Sequence, residues 1–180
     1  MLEALKIIGF SILLAVIYGI LHDQVTAHVS VEYFTVAHPP VFPTDVPFWL
    51  ALGWGIIATW WVGLILGTIL ALSARFGRTP KLKLGDLKPH IIKLMILSAL
   101  IAMPAGIMGW ALTEAQVPGT IGFWDEVIEP SRQSRFAFAA WAHSASYLVG
   151  GIGGIVVALK AIFTRRKMAQ AASASSINSG

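Results

Sequence analysis

A stretch of 28 residues, from position 47 to position 74, contains no charged side chain. As a helix it would be about 42 Å long, which exceeds the roughly 30 Å hydrocarbon core of a bilayer. Proline at position 47 fits the first turn of such a helix, where its missing N–H costs nothing. We therefore expect this segment to cross a membrane at a tilt.

Three further apolar runs have a similar character, at about 2–21, 94–113 and 136–159. Only 12% of the 180 residues are charged and 56% are hydrophobic, which is about half the charge of an ordinary soluble domain. The composition excludes a soluble globular protein. It predicts an all-α polytopic membrane protein, in which residues 1–167 form one domain of four transmembrane helices and the first run is retained.

The charges divide between the two ends of these spans. Eleven of the thirteen lysines and arginines lie at the N-terminus, in the 75–93 loop or after the fourth span. Seven of the nine acidic residues lie on the opposite side. Because cytoplasmic loops of membrane proteins are rich in lysine and arginine, both termini are expected in the cytoplasm. The excess of basic residues therefore reflects topology, and no nucleic-acid partner is predicted.

Two other features of composition limit the chain. Residues 168–180 are small and polar without an apolar period, which predicts a flexible cytoplasmic tail. The chain has no cysteine, so any metal must be bound by nitrogen and oxygen ligands.

Histidines and carboxylates concentrate in the predicted outer loop, residues 22–46, which has no lysine or arginine. In a helix, His28 and Glu32 at positions i and i+4 share one face, and in a strand they also share a face, so the loop conformation is left open. His143 lies inside the fourth span, where an ionisable side chain is costly and commonly functional. It can meet His22 only if the outer loop dips into the bundle.

These residues predict a metal site at the periplasmic mouth of the bundle. Imidazole and carboxylate ligands suit iron, zinc, copper or manganese. Haem is a weaker alternative, because it needs two histidines that face each other at one depth. The predicted ligands are His22, His28, Glu32 and His143, with weaker candidates in Asp23, Glu126 and Glu129.

Glycines cluster in the fourth span at positions 150, 151, 153 and 154. Their Gly-x-x-x-Gly spacing permits close approach of another helix. That helix can belong to the same bundle, to a second copy in a homo-oligomer or to a larger membrane complex, and the spacing does not distinguish these partners.

The stretches YGILHDQVT at residues 18–26 and EYFT at residues 32–35 resemble a family of small bacterial four-helix inner-membrane proteins of unassigned function. A looser likeness covers residues 141–150. The resemblance implies a multi-pass protein of the bacterial inner membrane, and it implies no activity.

The predicted function is an integral inner-membrane protein with a metal site made of histidine and carboxylate, which a metal-dependent oxidoreductase would use. Whether it is an enzyme stays open. One alternative is a structural or accessory subunit of a larger membrane complex. Another is an ion or metal transporter, which is weakened because no acidic residue or histidine continues a path across the membrane below His143.

Overall fold

A computed structural model describes residues 1–178 of the chain, and within that range it contains helices and loops but no strand. Two short 3₁₀ helices, Gly122–Glu126 and Pro130–Arg132, precede the last α-helix. The six α-helices are α1 (Leu2–Val29), α2 (Glu32–Thr35), α3 (Pro47–Ile57), α4 (Trp60–Arg75), α5 (Leu84–Glu114) and α6 (Gln133–Asn178).

Four helical segments are long and apolar enough to cross a membrane, which confirms the predicted number of spans. They are Leu2–Val29, Pro47–Arg75, Leu84–Glu114 and Pro130–Ser175. The start of α1 packs with the end of α4, the start of α5 and the second half of α6, through Ile7, Leu70, Leu87 and Ala161. We call this the basal end of the bundle. The opposite end, which carries residues 30–46 and 115–132, is the loop end.

The second span is interrupted between α3 and α4, whereas its sequence predicts one continuous helix. The hydroxyl of Thr59 donates a hydrogen bond of 2.5 Å to the carbonyl of Gly55. The backbone N–H of Thr59 bonds instead to the carbonyl of Ile56, three residues back. A threonine side chain that competes in this way for a helical carbonyl disturbs the regular ladder and bends the helix.

Close packing of α1 against this break depends on two glycines. A Cβ atom on Gly19 would lie 2.6 Å from the carbonyl oxygen of Gly55, and one on Gly55 would lie 2.6 Å from the backbone nitrogen of Ile20. Neither distance is possible for a real side chain, so only glycine allows the two backbones to approach this closely.

The first helix is longer than its apolar run predicts. The sequence places the end of the span at residue 21 and a loop over residues 22–46, but α1 continues to Val29. The Thr26 hydroxyl donates to the carbonyl of His22 at 3.2 Å, and His22, Asp23 and Thr26 are all buried. The helix continues because these polar side chains point into the bundle.

Helix α6 also extends past its predicted end. Its 46 residues correspond to about 69 Å. Residues 168–178 are helical, where the sequence predicts a flexible tail, because alanine, the strongest helix former, recurs through this segment. Residues 179 and 180 of the predicted tail lie outside the described part of the chain.

Two of the glycines in α6 pack inside the chain. A Cβ atom on Gly153 would collide with Leu94 of α5, and one on Gly154 would lie 3.0 Å from Leu66 of α4. Part of the glycine face therefore serves the internal bundle.

Candidate metal centre

Helices α1 and α6 bring three potential metal ligands together near the loop end. His22, Asp23 and His143 each offer one ligand atom, and these three atoms lie within 4.8 Å of one another. The residues are only 7%, 5% and 7% exposed. We call this group the triad.

The position of the triad follows from helical periodicity. In α1, Gly19, His22, Asp23 and Thr26 recur at the three- and four-residue spacing of one helix face, and all four are buried. In α6, the residues around His143 on the buried face include Ala139 and Ala142, which are 0% exposed. Their small side chains leave room for the rings and the carboxylate between the two helices.

The hydrogen bonds of His143 fix how its protons are distributed. Its Nδ1 lies 2.8 Å from the carbonyl oxygen of Ala139, and because a carbonyl only accepts, Nδ1 is the donor. Its Nε2 lies 3.1 Å from Oδ1 of Asp23. In the metal-free pair one proton lies between these two atoms. A divalent cation would replace that proton and use both atoms as ligands, while Ala139 keeps the ring oriented.

His22 completes the group with an atom that has no partner. Its Nε2 is buried and makes no hydrogen bond, although leaving a buried polar atom unpaired costs about 1–3 kcal/mol. The ring of His22 meets that of His143 edge-on, with centroids 4.6 Å apart. The imidazoles of His22 and His143 and the carboxylate of Asp23 could together hold one metal ion.

Helix α2 covers the triad from the loop end. The ring of Tyr33 stacks on that of His143 at 4.3 Å, with 28° between the planes, and Phe34 meets the same imidazole edge-on at 5.7 Å. His38 Nδ1 donates to the Tyr33 carbonyl at 2.7 Å and so ties down this segment. Burial raises the pKa of Tyr33 above its usual value, so the phenol stays neutral. Part of the outer segment, α2, thus packs onto His143, as expected if the outer loop dips into the bundle. His22, however, reaches His143 because α1 continues past residue 21.

A second polar pair lies beside the triad. The hydroxyls of Tyr18 and Ser146 are 2.7 Å apart and share a hydrogen bond. The Tyr18 ring stacks against His22 at 5.6 Å. These contacts continue the polar end of the site for one further helical turn toward the bundle centre.

The structure separates His28 from His22 and His143. It lies six residues after His22 on α1, a rotation of about 240°, and its side chain is exposed. Its Nδ1 donates to the carbonyl of Gln24 at 2.7 Å. The grouping of His28 with His22 therefore does not occur.

Glu32 is also kept from the triad, because other groups bind its carboxylate. It accepts hydrogen bonds from Arg132 and from the Ser30 hydroxyl at 2.8 Å. Partial burial by itself would raise its pKa, but hydrogen bonds from the backbone, Ser30 and Arg132, with the charge of Arg132, outweigh burial and hold the pKa below its ordinary value. Glu32 thus anchors α2 to the segment that precedes α6.

Of the three weaker candidates, only Asp23 belongs to the triad. Glu126 and Glu129 are exposed in the second loop. Glu129 accepts from the Ser131 hydroxyl at 2.7 Å and lies 3.5 Å from Arg132. The sequence analysis ranked Asp23 as a weaker candidate ligand because it placed this residue in a loop. Its position next to His22 on a continuing helix is the signal that would have identified it.

The same geometry argues against haem. The imidazoles of His22 and His143 touch, with ring centroids 4.6 Å apart, so no flat macrocycle fits between them. His90 lies near the basal end, in the first turns of α5, too far along the bundle to pair with either ring.

No protein-family model, curated protein or solved structure matches this chain.

Proposed function

We propose that this chain is a multi-pass protein of the bacterial inner membrane that binds one first-row divalent metal ion near its periplasmic face. The ligands are Nε2 of His22, a carboxylate oxygen of Asp23 and Nε2 of His143. The observation that carries the proposal is that Nε2 of His22 is buried and has no hydrogen-bond partner. His22 also forms a group with Asp23 and His143, in which one potential ligand atom from each residue lies within 4.8 Å of the others. The charge asymmetry of the loops supports cytoplasmic termini.

The donor set narrows the chemistry of the site. Two imidazoles and one carboxylate are the ligands of many non-haem iron(II) sites, and they also suit zinc, manganese and copper(II). Three protein ligands leave coordination positions open, as in catalytic sites, whereas structural sites are usually closed by four. A metal-dependent oxidoreductase is therefore the activity that the proposed site would serve best.

Transport of an ion through the bundle has less support. Between the triad and the basal end, the described residues that line the cavity among the helices include no lysine, arginine, histidine, aspartate or glutamate. A conducting path needs further charged or ligating side chains along its length.

Elemental analysis tests the metal proposal. Wild-type protein purified in mild detergent without chelator should hold about one metal ion per chain. His22→Ala, Asp23→Ala and His143→Ala should each lose most of it, since a first-row ion needs all three ligands. His28→Ala is the matched control, because it removes an exposed imidazole from the same helix, and its metal content should equal that of wild type.

Wild-type protein with less than about one ion per ten chains would overturn the metal site and favour the accessory-subunit alternative. Equal loss of metal in His28→Ala would also contradict it, because the bound metal would then involve residues outside the triad.

A further inference from the structure

An elongated cavity of about 210 Å³ begins at the triad and continues toward the basal end. On α1 its lining extends from Asp23 to Ser11, a distance of about 18 Å along the helix axis. A cavity of this length can hold one extended hydrocarbon chain.

Below the triad the lining of the cavity is mostly apolar, and Ser11, Thr59 and Ser98 add hydroxyls to it. Leu66, Leu70, Ile91, Leu94 and Val157 lie along it. An apolar cavity of about 150 Å³ stays free of water and binds hydrocarbon. The cavity in this bundle is larger, and it is therefore suited to a hydrocarbon ligand.

The described residues that line the cavity include no lysine or arginine. In the metal-free protein, a phosphate or carboxylate head would therefore be buried without a counter-ion, at high cost. Tyr18 and Ser146 offer hydroxyls there, and His22 offers the unpartnered Nε2. A ligand hydroxyl can donate or accept a hydrogen bond. It can therefore pair with the Tyr18 and Ser146 hydroxyls and with Nε2 of His22, whether or not that nitrogen carries a proton.

The cavity also reaches the outer surface of the bundle between α4 and α6. Trp61, Ile65 and Tyr147 line it, and yet they are 47%, 50% and 45% exposed. These residues lie within two of the segments that can span a membrane. The opening therefore faces the acyl chains of the bilayer, and a ligand would enter sideways from the membrane.

We propose that this cavity binds the hydrocarbon chain of a single-chain membrane lipid with an uncharged hydroxyl head, and that the head lies against the triad. Contact between the head and a bound metal rests on the proposed function, whereas binding of the chain depends only on the cavity. The lipid is then the substrate class of the proposed metal site.

Two glycines allow the cavity to be filled without disturbing the helices. Gly150 and Gly151 line it, and a Cβ atom built on either meets nothing within 4 Å. A leucine at these positions would occupy space that the ligand needs. Gly9 on α1 is a matched control, since its Cβ would also meet nothing and it lies outside the cavity lining.

The test is saturation binding of tritiated dodecanol to the full chain in phosphatidylcholine nanodiscs, with empty nanodiscs as background. Wild type should show one saturable site per chain. Gly150→Leu and Gly151→Leu should each weaken binding about tenfold or more, and Gly9→Leu should bind as wild type does. Circular dichroism and metal content of the two cavity variants identify any that fail to fold.

Tritiated dodecanoate, which has the same chain and a charged head, should bind chelator-treated protein about tenfold or more weakly than dodecanol does. Unsaturable dodecanol binding, or equal binding by folded wild type and folded cavity variants, would overturn the lipid site. Equal affinity for dodecanoate would overturn the uncharged head. Saturable dodecanol binding by a chain that holds no metal would contradict the proposed metal site and leave the lipid site supported. A normal metal content without lipid binding would contradict the lipid site and leave the metal site supported.

Discussion

Oδ1 of Asp23 lies 3.1 Å from Nε2 of His143, across 120 positions of sequence. Both side chains are buried, so the contact joins the first and last long helices at the loop end of the bundle. Because the Ala139 carbonyl occupies the other ring nitrogen of His143, the Asp23 side is the only direction in which this imidazole can bind a cation.

Metal should stabilise the wild-type protein, and His143→Leu should remove that effect. A ligand that binds only the folded state at one hundred times its dissociation constant adds about 2.7 kcal/mol to the free energy of unfolding. Thermal unfolding in detergent, with iron(II) or zinc and then with chelator, measures the difference. Metal-dependent shifts of equal size in wild type and His143→Leu would contradict a ligand role.

The three triad residues should behave as one unit. His22→Ala and Asp23→Ala should each abolish most metal binding, and the double variant should lose little more, because ligands of one ion are strongly coupled. Metal titration followed by dialysis gives the affinity of each variant. Losses that multiply in the double variant would indicate two independent weak sites.

Acidification should remove the stabilising effect of Glu32. Its pKa in the folded protein lies below the ordinary value of 4.5, so the stabilisation is present above that value and is lost as the pH falls through the folded pKa. The effect should be under about 1 kcal/mol, because Arg132 is half exposed. Thermal unfolding of wild type and Glu32→Gln from neutral pH to pH about 3 should show a difference that shrinks with acid.

Glu126→Gln is the control for this experiment, since Glu126 is an exposed loop carboxylate. Its unfolding temperature should follow that of wild type at every pH. A difference between wild type and Glu32→Gln that grows as the pH falls would refute the sign of the effect.

Arg165→Met should destabilise the basal end. Arg165 is 4% exposed and donates to four carbonyl oxygens around the end of α4, those of Ser73, Phe76, Thr79 and Pro80. Removing the guanidinium leaves these acceptors without their donor, which should cost about 2–4 kcal/mol. Arg166→Met, which alters an exposed neighbour, should change the unfolding temperature little. Equal unfolding temperatures for the two variants would show that the four hydrogen bonds contribute nothing.

The proposed orientation can be tested with single cysteines in a chain that has none of its own. Val41→Cys and Val117→Cys replace residues that are 53% and 43% exposed at the loop end. A membrane-impermeant thiol reagent on intact cells should label both, and it should not label Ser175→Cys. Labelling at position 175 alone would contradict the proposed orientation and would place the termini outside the cytoplasm.

The four span-length helices, the basic and acidic sides and the choice of His22 and His143 as candidate ligands could all be derived from the sequence. Each is a local property, because a span is recognised by an apolar run that matches the bilayer. His143 lies inside such a run, where a histidine is costly and commonly functional, and His22 directly follows the first run. The sequence therefore determined the fold class and two of the three triad residues.

Only the tertiary structure decided where α1 ends and which carboxylate joins the histidines. A helix continues through His22 and Asp23 when these polar side chains find partners inside the bundle, and the partner of Asp23 is 120 residues away. The same extension of α1 turns His28 outward, and Arg132, 100 residues after Glu32, binds that carboxylate. Local sequence carries no information about such distant partners, and burial of polar groups is favourable only once these partners are in place.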